Sequence, residues 1–136
     1  MLTEIALIVG TVIVLATIVE TALRYGSLPG RVPIHVALNG VPDNYGPRPA
    51  IWILPASQVF TAVLLLVIGW VLATHAVPGR GHGAGFPIFA LAVLALIWGS
   101  QRLILRTAIT GKVDVRAYWV FFGVTFIIAI LASTAL

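Results

Sequence analysis

Four apolar runs, at about residues 4–24, 51–74, 86–106 and 117–136, take up most of this 136-residue chain. Crossing the roughly 30 Å hydrocarbon core of a bilayer needs about 20 residues at ~1.5 Å of rise each, and every run meets that length. In lipid the backbone must satisfy its own hydrogen bonds, so runs of this kind are predicted to be helices. The expected fold is an all-α integral membrane protein, a single domain over residues 1–136. It has four transmembrane helices and a structured Pro/Gly-rich loop, residues 25–50, between the first two. Composition agrees, since charged residues are 9% of the chain, against about a quarter in soluble domains.

The first run opens with Glu4 instead of a basic segment, and Leu23-Arg24-Tyr25 is no small-residue cleavage site, so a retained helix is expected over a secretory signal. With four crossings, Arg24, Arg31, Arg48, Arg102, Arg106, Lys112 and Arg116 share one side, and only Arg80 belongs to the other. Lys- and Arg-rich short loops stay cytoplasmic. The first loop is therefore predicted inside and both termini outside, in the bacterial cytoplasmic (inner) membrane. The basic residues cap apolar runs and form no stripe with interleaved aromatics, which excludes a nucleic-acid partner. The chain has no cysteine, so disulfides, thiolate metal sites and haem attachment are excluded too.

Tyr25, Trp52, Tyr118 and Trp119 fall at the predicted interfaces, where amphipathic rings prefer headgroup level. Trp70 and Trp98 lie deeper and are expected to be packing residues. Gly69 with Ala73, Ala95 with Gly99 and Ala129 with Ser133 are small pairs that allow close helix approach.

Ionisable groups at membrane depth need partners, because a charge several residues inside a span costs roughly 2.5–3.5 kcal/mol. Thr17, Glu20, Thr21 and Arg24 share one face of the first helix, and Arg102 and Arg106 one face of the third. Two readings are open. Glu20 bridges to Arg102 across helices, or Glu20 pairs with Arg24 on its own helix while the arginines snorkel to lipid phosphates. Gln58 and Gln101 are expected as interhelical hydrogen-bond partners.

The first loop holds Pro29, Pro33, Pro42, Pro47 and Pro49, together with Gly26, Gly30, Gly40 and Gly46. Neither a helix nor a long regular strand persists through such a segment. Asn39-Gly40 is a tight-turn dipeptide, which predicts two short extended arms around it, and Asp43-Asn44-Tyr45-Gly46 is expected to make a second turn. Interleaved Leu28, Val32, Ile34, Val36, Leu38 and Val41 suit a loop docked on helix ends, not a solvated linker.

Leu28-Pro29, Val32-Pro33-Ile34-His35, Gly40 five residues after the His, Asp43 three further on, and Tyr45-Gly46 together form a pattern. It resembles the N-terminal membrane domain of SdpI-type bacterial immunity proteins, a domain of unknown function. The resemblance covers the first helix, the loop and the start of the second helix. Arg48 stands where the family usually has Lys, and Val36 and Ala37 replace a usual aromatic and Asn, for which Asn39 is the available substitute. The resemblance implies a non-enzymatic immunity or regulatory role and a motif loop carried by Pro29, Pro33, His35, Asn39, Gly40, Asp43, Tyr45 and Gly46.

The chemistry in the residues themselves is sparse. His35 and Asp43 suit a metal or an acid/base pair, but two ligands are fewer than the three or four that zinc needs. His75 and His82 are predicted on the opposite side. The expectation is that His35 and Asp43 shape the loop, with no metal and no cofactor. The Gly-rich loop containing Arg80 and His82 matches no phosphate-binding pattern. Ser57 and Ser100 have no arranged base, so no catalytic residue is assigned and no enzyme is expected. Alternatives to the immunity or regulatory role are an accessory subunit of a larger membrane complex and a small-solute transporter. The expected partners are membrane lipids and either a membrane protein or a second copy.

Overall fold

In the computed structural model the chain is described over residues 2–37, 39–75, 85–111 and 115–133. Arg80, His82 and Lys112, and residues 134–136 at the end of the fourth run, lie outside the described residues. The elements run α1 (Leu2–Tyr25), β1 (Arg31–Val36), β2 (Pro42–Pro47), a 3-10 turn (Arg48–Trp52), α2 (Ile53–Thr74), α3 (Gly85–Thr110) and α4 (Arg116–Ser133). Three helical stretches, Thr3–Tyr25, Arg48–Thr74 and Gly85–Thr110, are long and apolar enough to cross a membrane. The fourth was expected over 117–136; its described apolar part, Tyr118–Ala132, is shorter than the other three.

The hub is α3, which packs against α1, α2, α4 and β1. It runs parallel to α1. The buried Gln101 amide donates to the Thr17 carbonyl at 2.9 Å and to Thr21 Oγ1 at 2.5 Å, while a Cβ at Gly10 would lie 3.2 Å from Leu94 Cδ1. The two threonines are fully buried, and their hydroxyls donate back to the Ile13 and Thr17 carbonyls. Each hydroxyl thus spends its proton within the helix and leaves an oxygen free to accept. On the other side α2 runs antiparallel to α3, and buried Gln58 donates to the Leu94 carbonyl at 3.2 Å. Both glutamines are thereby interhelical partners. On the α4 side, Gly99 lets the Phe121 ring lie directly on the α3 backbone, because a Cβ there would collide with it.

Outward faces carry the large apolar side chains, among them Ile8, Leu23, Phe60, Val120 and Leu131, all more than half exposed. A surface of that composition suits lipid and not water. Away from the hairpin α1 and α2 diverge, leaving a cavity of about 780 Å³ floored by α3 and lined by Leu7, Thr11, Val63, Leu66, Phe86 and Leu91 among others. Trp70, expected to be a packing residue, is 67% exposed. It lines the open cavity between α1 and α2.

The chain is mostly helical yet not all-α, because the Pro/Gly-rich segment forms an antiparallel hairpin of six residues per strand. Its register pairs Arg31 with Pro47, Val32 with Gly46, Pro33 with Tyr45, His35 with Asn44 and Val36 with Pro42, with irregularities between Pro33 and Val36. Proline cannot donate to a ladder, which explains both the short strands and the uneven register. Asn39 Oδ1 accepts from Val41 N at 3.0 Å, and Gly40 takes φ +81°, a conformation that favours glycine. Asp43-Asn44-Tyr45-Gly46, expected as a second turn, is instead the body of β2. Its backbone is claimed by β1, and that long-range pairing outweighs the local turn preference of Asp, Asn and Gly.

Because Phe121 rests on the bare backbone at Gly99, Gly99→Ala should push α4 away from α3. We expect a loss of about 1–3 kcal/mol, read as a lower midpoint in denaturing-detergent unfolding. An unchanged midpoint would show that α4 docks elsewhere.

Candidate functional site

The C-terminal ends of α1 and α3, the start of α4 and the whole hairpin meet at one end of the bundle. Two short strands alone are marginal and need a helical support. Here it comes from a small apolar core of Leu28, Val32, Ile51 and Leu105, with Tyr25, Leu54, Ile104 and Ala108 packed around it. Val32 and Leu105 are fully buried, and Pro33 nearly so.

The anchor is Arg48. Its guanidinium donates through Nε at 2.9 Å, and through a terminal nitrogen, to the carbonyl of Tyr25, the last residue of α1. That carbonyl lies at the negative end of the helix dipole and lacks an intrahelical partner. The same guanidinium sits 4.6 Å from the Tyr25 ring centroid, Tyr25 tilts against Trp52 at 6.0 Å, and Arg48 N donates to Gly30 O. Arg48 therefore ties the exit of α1 through its side chain and the open end of the hairpin through its backbone N–H, just before the entrance to α2. Lysine could supply the charge there but not the two-point hold.

Beside this anchor lies a charge cluster. Glu20 is within 3.2 Å of Arg24 and 3.3 Å of Arg102, one carboxylate oxygen to each. The acid thus bridges both along its own helix and across to α3, so the two pairings expected of Glu20 occur together. Arg102 also stacks on Trp98, 5.0 Å from the ring centroid. Arg106, one turn further on, is exposed and makes no ion pair among the described residues.

On the hairpin, His35 Nδ1 and Asp43 Oδ1 are 2.5 Å apart, with the side chains 65% and 51% exposed. An ionised carboxylate only accepts, so the imidazole donates from Nδ1. The bond clasps β1 to β2 at the irregular part of the ladder. Among the described residues no third His, Asp or Glu joins them in a metal-binding group. Pro29, Asn39 and Tyr45 are exposed, whereas Pro33, Gly40 and Gly46 are buried. A Cβ at Gly46 would come within 3.0 Å of Ile34 Cγ2 and 3.1 Å of Ala50 Cβ. The motif glycine is therefore where β1 and the 3-10 turn close over β2.

The geometry defines a helical bundle with a hairpin docked on one end. A domain of unknown function, DUF1648, is found at residues 12–59, a stretch that covers the second half of α1, the hairpin and the first turns of α2. No curated protein and no solved structure matches the chain significantly.

The charge cluster yields one test and the anchor another. Glu20→Ala and Arg102→Ala should each destabilise, and the double variant should cost less than their sum by about 0.5–1 kcal/mol, the modest value that partial exposure allows. Strict additivity would mean that the helices are not joined there. Arg48→Ala should speed hydrogen exchange in both strands by local opening worth roughly 1–2 kcal/mol, with Arg48→Lys intermediate. Equal protection in all three proteins would move the anchor elsewhere.

Proposed function

We propose that this chain is a non-enzymatic protein of the bacterial cytoplasmic membrane. It sits with the hairpin inside and both termini outside, and acts in an immunity or regulatory role by presenting the hairpin to a membrane protein partner or a second copy. The observation that carries this reading is the hairpin itself. It is held to the bundle by Arg48 and a buried core, yet it turns Ile34, Val41 and Tyr45 outward, each more than 40% exposed, beside the His35–Asp43 clasp. Ordering such a segment costs entropy that a passive linker need not spend. Its motif also resembles that of SdpI-type immunity proteins, and the described basic residues Arg24, Arg31, Arg48, Arg102, Arg106 and Arg116 all belong to this end. Such clustering supports placing the hairpin in the cytoplasm.

An accessory-subunit role is the second reading, favoured by the apolar cavity between α1 and α2. That cavity is lined by neither Glu20 nor Arg102, which gives a solute pathway less support than a helix-packing surface.

The absence of native cysteine makes labelling clean. Asn39→Cys should react with an impermeant maleimide only after the membrane is opened, and His82→Cys should react in intact cells; the reverse would invert the orientation. A protein co-purifying in mild detergent should be lost with Tyr45→Ala while the fold persists. Retention with Tyr45→Ala, but loss when Ala62→Phe fills the cavity, would favour the accessory-subunit reading.

A further inference from the structure

Where α3 and α4 meet at the hairpin end they leave a recess of about 280 Å³, lined by Trp98, Gly99, Arg102, Arg106, Tyr118 and Phe121. Its accessible side-chain polar groups are two guanidiniums and a phenol, so donors dominate. The surrounding charge is unbalanced. Glu20 is shared between Arg24 and Arg102, and Arg106 has no ion pair among the described residues, so three positive charges and one negative leave a net +2. The Trp98 ring, on which Arg102 lies, forms part of the wall of the same recess, with its Nε1–H buried out of reach of a ligand.

Such a recess selects an acceptor that is negatively charged and has several oxygens. A phosphate answers that description, because it can receive two planar guanidinium donors and a phenol O–H together. Its position narrows the source further. Tyr118 is in the first turns of α4, and next to it the outward face of that helix becomes continuously apolar through Trp119, Val120, Val124 and Ile127. A phosphate tethered to acyl chains would place its charge in the recess and its chains along that face.

We propose that this recess binds the headgroup phosphate of an anionic phospholipid, held by Arg102 and Arg106 with the Tyr118 hydroxyl as a further donor. The assignment rests on the membrane placement proposed above. Bound lipid would also offset the excess positive charge at the α3–α4 contact, a use of basic interhelical pockets that fits their chemistry.

The test is native mass spectrometry of the full chain released from mixed phosphatidylglycerol and phosphatidylcholine nanodiscs, with inorganic phosphate as a separate titration. The wild type should retain one phosphatidylglycerol per chain in preference to phosphatidylcholine. Arg106→Gln, which removes an exposed side chain outside the ion-pair cluster, should lower retention about fivefold. Tyr118→Phe keeps the ring but deletes the O–H and should lower it as well, whereas Arg31→Gln on the hairpin should leave it unchanged. Equal retention of the two lipids, or no effect of Arg106→Gln and Tyr118→Phe, overturns the site. Inorganic phosphate displacing the lipid at comparable concentration overturns the lipid source. A chain that inserts normally but retains no lipid rejects the site while leaving the membrane reading intact.

Discussion

The Gln101 amide is the interaction on which the arrangement of this bundle depends. By donating to both Thr17 O and Thr21 Oγ1 from a fully buried position, it fixes the register of α1 against α3. Interhelical hydrogen bonds in lipid contribute only about 0.6 kcal/mol on average, so their value here is geometric. Apolar helices in an apolar solvent slide past one another with little change in energy, whereas a buried amide that loses its acceptors is expensive. Once that register is set, Glu20 falls beside Arg102 and Leu94 falls beside Gly10. The ends of α1 and α3 then finish close enough to form the platform on which the hairpin packs.

That platform explains how a segment so rich in proline and glycine keeps one structure. Proline limits the conformations of the unfolded loop and lowers the entropy lost on ordering it. The remaining cost is met at a few points: Val32 and Leu28 against Leu105 and Ile51, and Arg48 on the C-terminal carbonyl of α1. The Tyr25 carbonyl at the end of α1 accepts from Leu28 N at 3.3 Å as well as from Arg48, so the segment after α1 and the hairpin close that helix end together.

Periodicity and span length were legible in the sequence because lipid permits so few backbone solutions. The helices α1, α2 and α3 begin and end close to the expected limits, and the tight turn at Asn39-Gly40 follows from local chemistry. What could not be read was long-range. Asp43 to Gly46 has the composition of a turn and becomes a strand only because β1 is present to pair with it. Trp70 looks like a core residue until the divergence of α1 and α2 is known. Arg48 was visible as one of the basic residues of its side and as a replacement for lysine but not as an anchor, since its partner lies 23 residues away at Tyr25. The shared face of Thr17, Glu20, Thr21 and Arg24 was visible, and it did carry a signal. Helical spacing places these groups together, and their polarity at depth demands partners. Arg102 was already an expected partner of Glu20, and the fold adds Gln101 as the partner of the two threonines.

The two ends of the molecule consequently differ in kind. The end with the hairpin is tied by hydrogen bonds, a shared carboxylate, stacked cations and a buried core, each of which tolerates little displacement. At the opposite end α1 and α2 meet α3 through apolar side chains and then part, leaving a cavity with few directional contacts around it. Contacts of that kind adapt to whatever fills them, be it lipid chains or another helix. Recognition that depends on fixed geometry therefore belongs to the hairpin end, where side-chain positions are determined by their partners. The open end is suited to packing, and a change there would reach the hairpin only through the rigid α3 that both ends share.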